Sequence, residues 1–112
     1  MPTAWRREEA MSQEAVSQET LSREVVVANS QGLHARPADM LAREARKWRS
    51  RIELVSDSQR ADGKSILELL TLAAESGTRL VVEATGPDAR QALEAIGSLF
   101  ERRFNEQDDQ ES

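Results

Sequence analysis

The one histidine of the sequence, His34, lies in a segment whose residue types favour anion chemistry. Gly32, two residues before it, permits a tight backbone turn. Pro37 is tolerated only in the first turn of a helix, so a helix must begin within the preceding few residues. His34 therefore falls at or next to the helix N-cap, where the free backbone N–H groups of Ala35 and Arg36 point toward its ring.

This placement predicts an imidazole that can accept a phosphoryl group. The helix dipole disfavours the imidazolium, which leaves a ring nitrogen nucleophilic near neutral pH. The same N–H groups favour an anion bound to the ring, and Arg36 adds a permanent positive charge. The simpler alternative is a surface or capping histidine. We expect no metal and no cofactor, because one His without Cys cannot complete a ligand set, and no G-x-S-x-G elbow marks a hydrolytic serine.

The 112 residues have room for one domain with a modest core. Hydrophobic residues make up 38% and aromatic residues 4%, so Ala, Leu, Val and Ile must build most of that core. No apolar run approaches the ~20 residues of a membrane-spanning helix, and residues 1–20 carry charges where a secretory signal is apolar. Because the chain has no cysteine, its composition fits a reducing cytoplasm, where we expect the protein to act.

The net charge of −5 is concentrated at the two ends of the chain. Residues 1–20 carry −2, residues 105–112 carry −4, and the body, residues 21–104, carries +1. We predict a disordered or loosely helical polar extension, then the folded body, then a disordered acidic tail. A nucleic-acid binder needs a dominant basic surface, which the chain lacks overall. A local basic cluster is read as a solvated helix face, or alternatively as a dock for an acidic protein: Arg43, Arg46, Lys47, Arg49 and Arg51.

Along the body, segments with an apolar residue at every second position are interspersed with segments whose apolar residues recur every 3.6 positions. This pattern predicts the order βαββαβα. The short connections, with a tight turn at Asp57 and Ser58, favour antiparallel pairing. The expected fold class is α+β: an open-faced two-layer sandwich with three helices on one face of a four-stranded antiparallel sheet. The predicted strands are residues 24–28, 51–55, Gln59–Asp62 and 79–84.

The apolar faces and the first residues of the helices indicate how they lie. The Ser65 hydroxyl can N-cap the short second helix, and Pro87 falls where the third helix should begin. Ile52 and Leu54 alternate with polar neighbours and should face the helices. The expected helix faces are Ala38, Leu41, Ala42, Ala45 and Trp48, then Ile66, Leu67, Leu69, Leu70 and Leu72, then Ala89, Ala92, Leu93, Ile96, Leu99 and Phe100.

Residues 32–38, Gly-Leu-His-Ala-Arg-Pro-Ala, resemble the active-site signature of HPr, the histidine-containing phosphocarrier family of the bacterial phosphoenolpyruvate–sugar phosphotransferase system. Residues 64–67, Lys-Ser-Ile-Leu, resemble the family's regulatory-serine segment. The resemblance covers the body and neither end. It implies that His34 accepts the phosphoryl group on Nδ1, that Arg36 neutralises its charge, and that the amides of Ala35 and Arg36 bind its oxygens.

The resemblance also implies the partners. Phospho-enzyme I would donate the phosphoryl group, and an enzyme IIA component or another acceptor would receive it. The protein would then be a monomeric transfer intermediate, without turnover of its own and without nucleic-acid or membrane binding. Docking would use Ala35, Ile66, Leu67 and Leu70. In relatives an HPr kinase/phosphorylase phosphorylates the serine matching Ser65, and such a phosphate would repel acidic partners.

Two acidic residues depart from the family pattern and leave the partner and the end use open. Asp39 lies one turn beyond the histidine, and Glu68 lies within the second docking helix. The alternative function is a regulatory phosphoprotein that controls carbon or nitrogen metabolism through Ser65 or His34 without moving sugar. A third hypothesis is an interaction domain whose histidine is only a cap, and the presence of both His34 and Arg36 argues against it.

Overall fold

Four strands form one sheet in the order β1-β4-β2-β3, and every neighbouring pair is antiparallel. The computed structural model describes residues 19–106. β2 and β3 are joined by a two-residue turn in which Asp57 has a φ of 52°. The predicted four-stranded antiparallel sheet is therefore confirmed. The strands are β1 (Thr20–Val26), β2 (Arg51–Ser56), β3 (Gln59–Asp62) and β4 (Arg79–Thr85).

Three helices cover one face of this sheet, which confirms the predicted open-faced sandwich. They are α1 (Ala35–Ala45), α2 (Ile66–Thr71) and α3 (Ala89–Glu101), and a 3₁₀ turn (Arg103–Asn105) follows α3. α3 packs across β1 and β4, while α1 lies against both α2 and α3. Among residues 19–106, no helix has the length and apolar character needed to cross a bilayer.

The core lies between the helices and the inward face of the sheet. Ile52 and Leu54 are fully buried, as their alternation predicts, and every predicted apolar position on α3 is buried as well. The outward face of the sheet carries charged residues together with the valines Val26, Val55 and Val81. There Glu53 and Glu83 stand opposite each other on β2 and β4, and Arg60 lies 2.9 Å from a carboxylate oxygen of each. Arg60 offsets the repulsion between the two like charges.

Some element boundaries differ from the sequence expectations. β1 begins at Thr20 because pairing with β4 extends to Thr20 opposite Thr85, although the first residues of the strand are polar. α1 ends at Ala45, so Trp48 lies beyond the helix; its indole Nε1 donates to a carboxylate oxygen of Glu44 at 3.2 Å. Strand pairing sets the start of β1, and a side-chain hydrogen bond holds Trp48 beyond the end of α1. The periodicity of apolar residues indicates neither of these contacts.

Both predicted terminal segments overlap the described part of the chain at their inner ends. Glu19 and Thr20 belong to the expected extension, and Thr20 is already in β1. Asn105 and Glu106 belong to the expected acidic tail, yet Asn105 completes the 3₁₀ turn and Glu106 binds Ser30. The expectations for residues 1–18 and 107–112 lie outside the described residues.

Asp88, the N-cap of α3, ties that helix to the start of β2. Its Oδ1 accepts hydrogen bonds from the Ser50 backbone N–H at 2.9 Å and the Ser50 Oγ at 2.6 Å, and its Oδ2 accepts from the Arg49 N–H at 2.9 Å. The hydrogen bond from the Ser50 side chain, followed by that from the Arg49 backbone, lowers the pKa of Asp88 from 3.8 to about 2. The carboxylate thus stabilises the fold more in its charged form than in its protonated form.

Replacing Asp88 with Asn is expected to lower the free energy of unfolding by about 1–2 kcal/mol at neutral pH. Because the folded-state pKa is about 2 and the ordinary value is 3.8, the contribution is complete above pH 3.8 and is lost as the pH falls toward 2. Denaturant titrations at several pH values check this, with Asp57→Asn on the exposed turn as the control. If the free energies of unfolding of Asp88→Asn and of the unmodified protein changed in parallel between pH 5 and 2, the prediction would be contradicted.

Candidate active site

The backbone before α1 is folded tightly against the segment that follows α2. Gly32 has a φ of +74°, and a Cβ built there would lie 2.5 Å from the carbonyl oxygen of Ala74. The next residue, Leu33, donates its N–H to the same oxygen at 2.9 Å. Only glycine satisfies both the left-handed conformation and the close approach. This turn fixes the direction in which the chain enters α1.

His34 is the N-cap residue of α1, as the sequence predicts. Its backbone is extended, with φ −89° and ψ −166°, and its carbonyl accepts the N–H of Ala38 at 2.9 Å. Its side chain makes no capping hydrogen bond and is only partly buried. The imidazole is therefore not committed to the helix and remains accessible to a reactant.

The first turn of α1, which follows His34 directly, contains two backbone donors. The N–H groups of Ala35 and Arg36 have no acceptor among residues 19–106. The third position is the buried Pro37, which has no N–H. Two unpartnered donors at the positive end of an eleven-residue helix suit a bound anion.

The Arg36 side chain lies at the surface and reaches the C-terminal end of the fold. Its Nη1 donates to the backbone carbonyl oxygen of Phe104 at 3.3 Å. This is the one hydrogen bond of its guanidinium to the described residues. Since a guanidinium has five N–H donors, the others remain for a phosphoryl group.

An open cleft of about 640 Å³ adjoins the histidine. Its walls come from the loop before α1, from α2 and from the segment after α2, so three separate parts of the chain meet at the ring. The acidic Glu75 in this cleft was not anticipated from the sequence. The lining residues are Ser30, Gln31, Leu33, His34, Leu70, Ala73, Ala74, Glu75 and Ser76.

The expected docking residues lie on α2 and at the start of α1, and they differ in exposure. Leu67 is 76% exposed and Leu70 36% exposed, which is unusual for leucine in a small fold. Ala35 is also exposed, whereas Ile66 is half-buried and packs against the core. Leu70 lines the cleft that holds His34, so α2 borders the candidate site at this residue.

Ser65 is the N-cap of α2, as predicted. Its Oγ accepts a hydrogen bond from the N–H of Glu68 at 3.2 Å. The Glu68 carboxylate in turn accepts the N–H of Asp62 at 2.8 Å. The other unexpected acid, Asp39, pairs with Nε of Arg43 at 2.9 Å. Both acids that depart from the family pattern therefore have partners within their own chain.

Ala73, which lines the same cleft, has a φ of 49° in the turn that ends α2. A left-handed conformation costs a residue with a Cβ about 1–2 kcal/mol. We expect Ala73→Gly to raise the free energy of unfolding by about 1 kcal/mol, measured by denaturant titration. Ala74→Gly is the matched control; this buried neighbour lacks the positive φ and should lose stability. A destabilised Ala73→Gly variant would contradict the expectation.

Sequence reasoning missed the C-terminal residues that border the site. Phe104 and Glu106 lie about 70 positions from the histidine in the chain, and no local pattern links them to it. One signal was available, since Phe104 follows Phe100 by four residues and continues the apolar face of α3. Phe104 is fully buried, and its ring lies edge-on to that of Phe100 with centroids 4.9 Å apart.

A small open-faced sandwich with an accessible N-cap histidine is the architecture of a histidine phosphocarrier, and comparison with known proteins agrees. Residues 21–102 match the family model described as "PTS HPr component phosphorylation site". The chain is 41% identical over 83 residues to the phosphocarrier protein HPr of Treponema pallidum, covering 74% of this chain and 94% of that protein. It therefore belongs to the HPr family.

A solved structure and a longer relative also resemble this chain. The crystal structure of HPr-C-His from Thermoanaerobacter tengcongensis superposes with a TM-score of 0.75 and 31% identity, covering 78% of this chain and 98% of that one. The multiphosphoryl transfer protein of Haemophilus influenzae is 38% identical over 84 residues, or 72% of this chain. The match spans 17% of that longer protein, so the HPr fold there is one part of a larger chain.

Proposed function

We propose that this protein is a phosphocarrier of the phosphoenolpyruvate-dependent phosphotransferase system and that His34 is its phosphoryl acceptor. The observation that carries the assignment is the N-cap of α1. There an accessible imidazole, two amides without an acceptor among residues 19–106, and the Arg36 side chain belong to one end of one helix. Membership of the HPr family supports the system to which the carrier belongs. No observation on the described residues favours a regulatory protein that takes no part in transfer.

The transfer is a displacement at phosphorus between two imidazoles. The lone pair of Nδ1 of His34 attacks the phosphorus, and the N–P bond to the donor histidine of phospho-enzyme I breaks as the new N–P bond forms. Charge accumulates on the phosphoryl oxygens during the step. The N–H groups of Ala35 and Arg36 and the guanidinium of Arg36 stabilise that charge. In the second step His34 is the leaving group, and a nucleophile of an enzyme IIA or a similar acceptor receives the phosphoryl group.

Docking of both partners is assigned to the apolar patch of Ala35, Ile66, Leu67 and Leu70. The patch borders the cleft of His34, so a partner that covers it also covers the ring. Covering the ring excludes water, which protects a labile phosphoramidate during transfer. The charge of Asp39 is offset by the guanidinium of Arg43, whereas Glu68 accepts a backbone N–H and keeps its negative charge on α2.

The chemistry of the phosphorylated product tests this function. Incubation with enzyme I and labelled phosphoenolpyruvate is expected to give one label per chain, labile in acid and stable in base, as phosphohistidine is. Transfer from the isolated labelled protein to an enzyme IIA completes the test. An acid-stable label, or no label at all, would overturn the assignment.

Ser65 is proposed as a site of regulation by an HPr kinase/phosphorylase. A phosphate there adds about two negative charges at the N-cap of α2, beside Leu67, and would weaken docking of an acidic surface. Ser65→Asp should imitate part of this effect and slow transfer from enzyme I several-fold, whereas Ser65→Asn keeps the cap without the charge. Initial rates with both variants check the effect. Equal rates for the two variants would remove the regulatory role.

A further inference from the structure

The chain that leaves α3 turns back toward the site in a costly conformation. Arg103, Phe104 and Asn105 have φ values of 54°, 52° and 59°, so three successive residues with side chains are left-handed. Such a run is unfavourable for L-amino acids and persists only where other contacts impose it. Burial of the Phe104 ring against Phe100 supplies one of these contacts.

Hydrogen bonds to the loop before α1 supply the others. The side-chain Nδ2 of the buried Asn29 donates to the carbonyl of Arg103 at 3.0 Å. The Glu106 carboxylate accepts from the Oγ of Ser30 at 2.7 Å and from its backbone N–H at 3.2 Å. The hydrogen bond from the Ser30 side chain is the largest cause of a pKa of Glu106 below its ordinary value. We call residues 103–106 the C-terminal clasp.

The clasp presents one group to the candidate site. The carbonyl of Phe104 accepts the hydrogen bond from Nη1 of Arg36, and it is the sole acceptor for that guanidinium among residues 19–106. A free arginine side chain samples many rotamers, so a guanidinium that is already held in one position before the reaction removes an ordering cost from the transfer step. Glu106, two residues after that carbonyl, is anchored by its hydrogen bonds to Ser30.

We propose that Glu106 is a positioning residue for phosphoryl transfer: by binding Ser30 it holds the clasp so that the Phe104 carbonyl keeps the guanidinium of Arg36, two residues after His34, in one position. This inference rests on the proposed function. It assigns a role to a residue outside the motif and outside the apolar patch. It also connects the loop before α1, the N-terminus of that helix and the C-terminal turn into one unit.

Transfer rates from phospho-enzyme I in a double-mutant cycle test the proposal. Glu106→Ala is expected to slow transfer about two- to tenfold, the range that one net hydrogen bond contributes. The same change in an Arg36→Ala background should have no further effect, because the group that the clasp positions is gone. Glu106→Gln keeps one oxygen acceptor for Ser30 and should retain most of the rate. Glu101→Ala is the control, since Glu101 pairs with Arg23 at the same end of α3.

The outcomes separate this proposal from the proposed function. A merely structural role would make Glu106→Ala slow transfer equally in both backgrounds, and that result would overturn the positioning role. An unchanged rate in Glu106→Ala would overturn it as well. In either case the function survives if Arg36→Ala is slow and His34 carries the label. A normal transfer rate in Arg36→Ala would show that Arg36 does not stabilise the phosphoryl charge. The positioning role of Glu106, which acts through Arg36, would then be overturned as well.

Discussion

Replacing His34 with Ala is expected to abolish uptake of the phosphoryl group from phospho-enzyme I. The sequence contains no other histidine, so no second ring can substitute. The fold should be retained, because the His34 side chain makes no capping hydrogen bond and is partly exposed. A change of roughly 0.5 kcal/mol or less in the free energy of unfolding is expected. Labelling with phosphoenolpyruvate and enzyme I, beside a denaturant titration, measures both effects.

A neighbour in the same cleft provides the control for this variant. Gln31 is exposed and lines the cleft with His34, so Gln31→Ala alters the surroundings without removing the acceptor. It should take up the label at close to the unmodified rate. Full labelling of His34→Ala, in acid-labile or acid-stable form, would move the acceptor to another residue and contradict the assignment.

Reversal of the charge at Arg36 is expected to produce the second largest effect. Arg36→Glu removes one attraction to the phosphoryl group and adds one repulsion, each about 1 kcal/mol in water and more where the partner excludes it. The transfer rate should fall about 10²-fold, since each 1.36 kcal/mol changes a rate tenfold. Stopped-flow or quenched transfer from phospho-enzyme I measures the rate. The fold should persist, because Arg36 is exposed and its guanidinium makes one hydrogen bond within the described part of the chain.

Arg49→Glu is the matched control for the charge reversal. Arg49 is exposed and follows α1 at the end opposite His34, about 16 Å along an eleven-residue helix. The net charge changes by the same amount, while the distance from the ring removes most of the electrostatic effect at physiological salt. A rate for Arg36→Glu no lower than that for Arg49→Glu would show that Arg36 does not neutralise the phosphoryl charge.

The order of strands and helices could be predicted because each element carries its own local pattern. Alternation places Ile52 and Leu54 toward the helices, and the 3.6-residue period marks the buried face of α3. The predictions missed the first residues of β1, which are polar and become a strand only through pairing with β4. They also placed Trp48 on α1, although the helix ends three residues earlier. Local patterns report propensity and burial but not pairing partners.

The position of the histidine in the site could also be predicted from neighbouring residues in the sequence. Gly32, His34 and Pro37 lie within six residues, and steric rules for glycine and proline suffice to place the ring at the start of a helix. Ser65 was placed at an N-cap for the same reason, and its hydrogen bond with Glu68 agrees. Short-range backbone geometry of this kind is encoded by neighbouring residues, so one sequence is enough to predict it.

The tertiary structure alone decided what surrounds that ring. It brings the segment after α2 to Gly32, and it brings Phe104 and Glu106 to Arg36 and Ser30. These contacts join residues about 40 to 76 positions apart, and they depend on how α3 and α2 pack on the sheet. A sequence read by itself determines which residues can accept a phosphoryl group; packing determines which distant groups hold them in place, because non-local contacts leave no periodic trace in the chain.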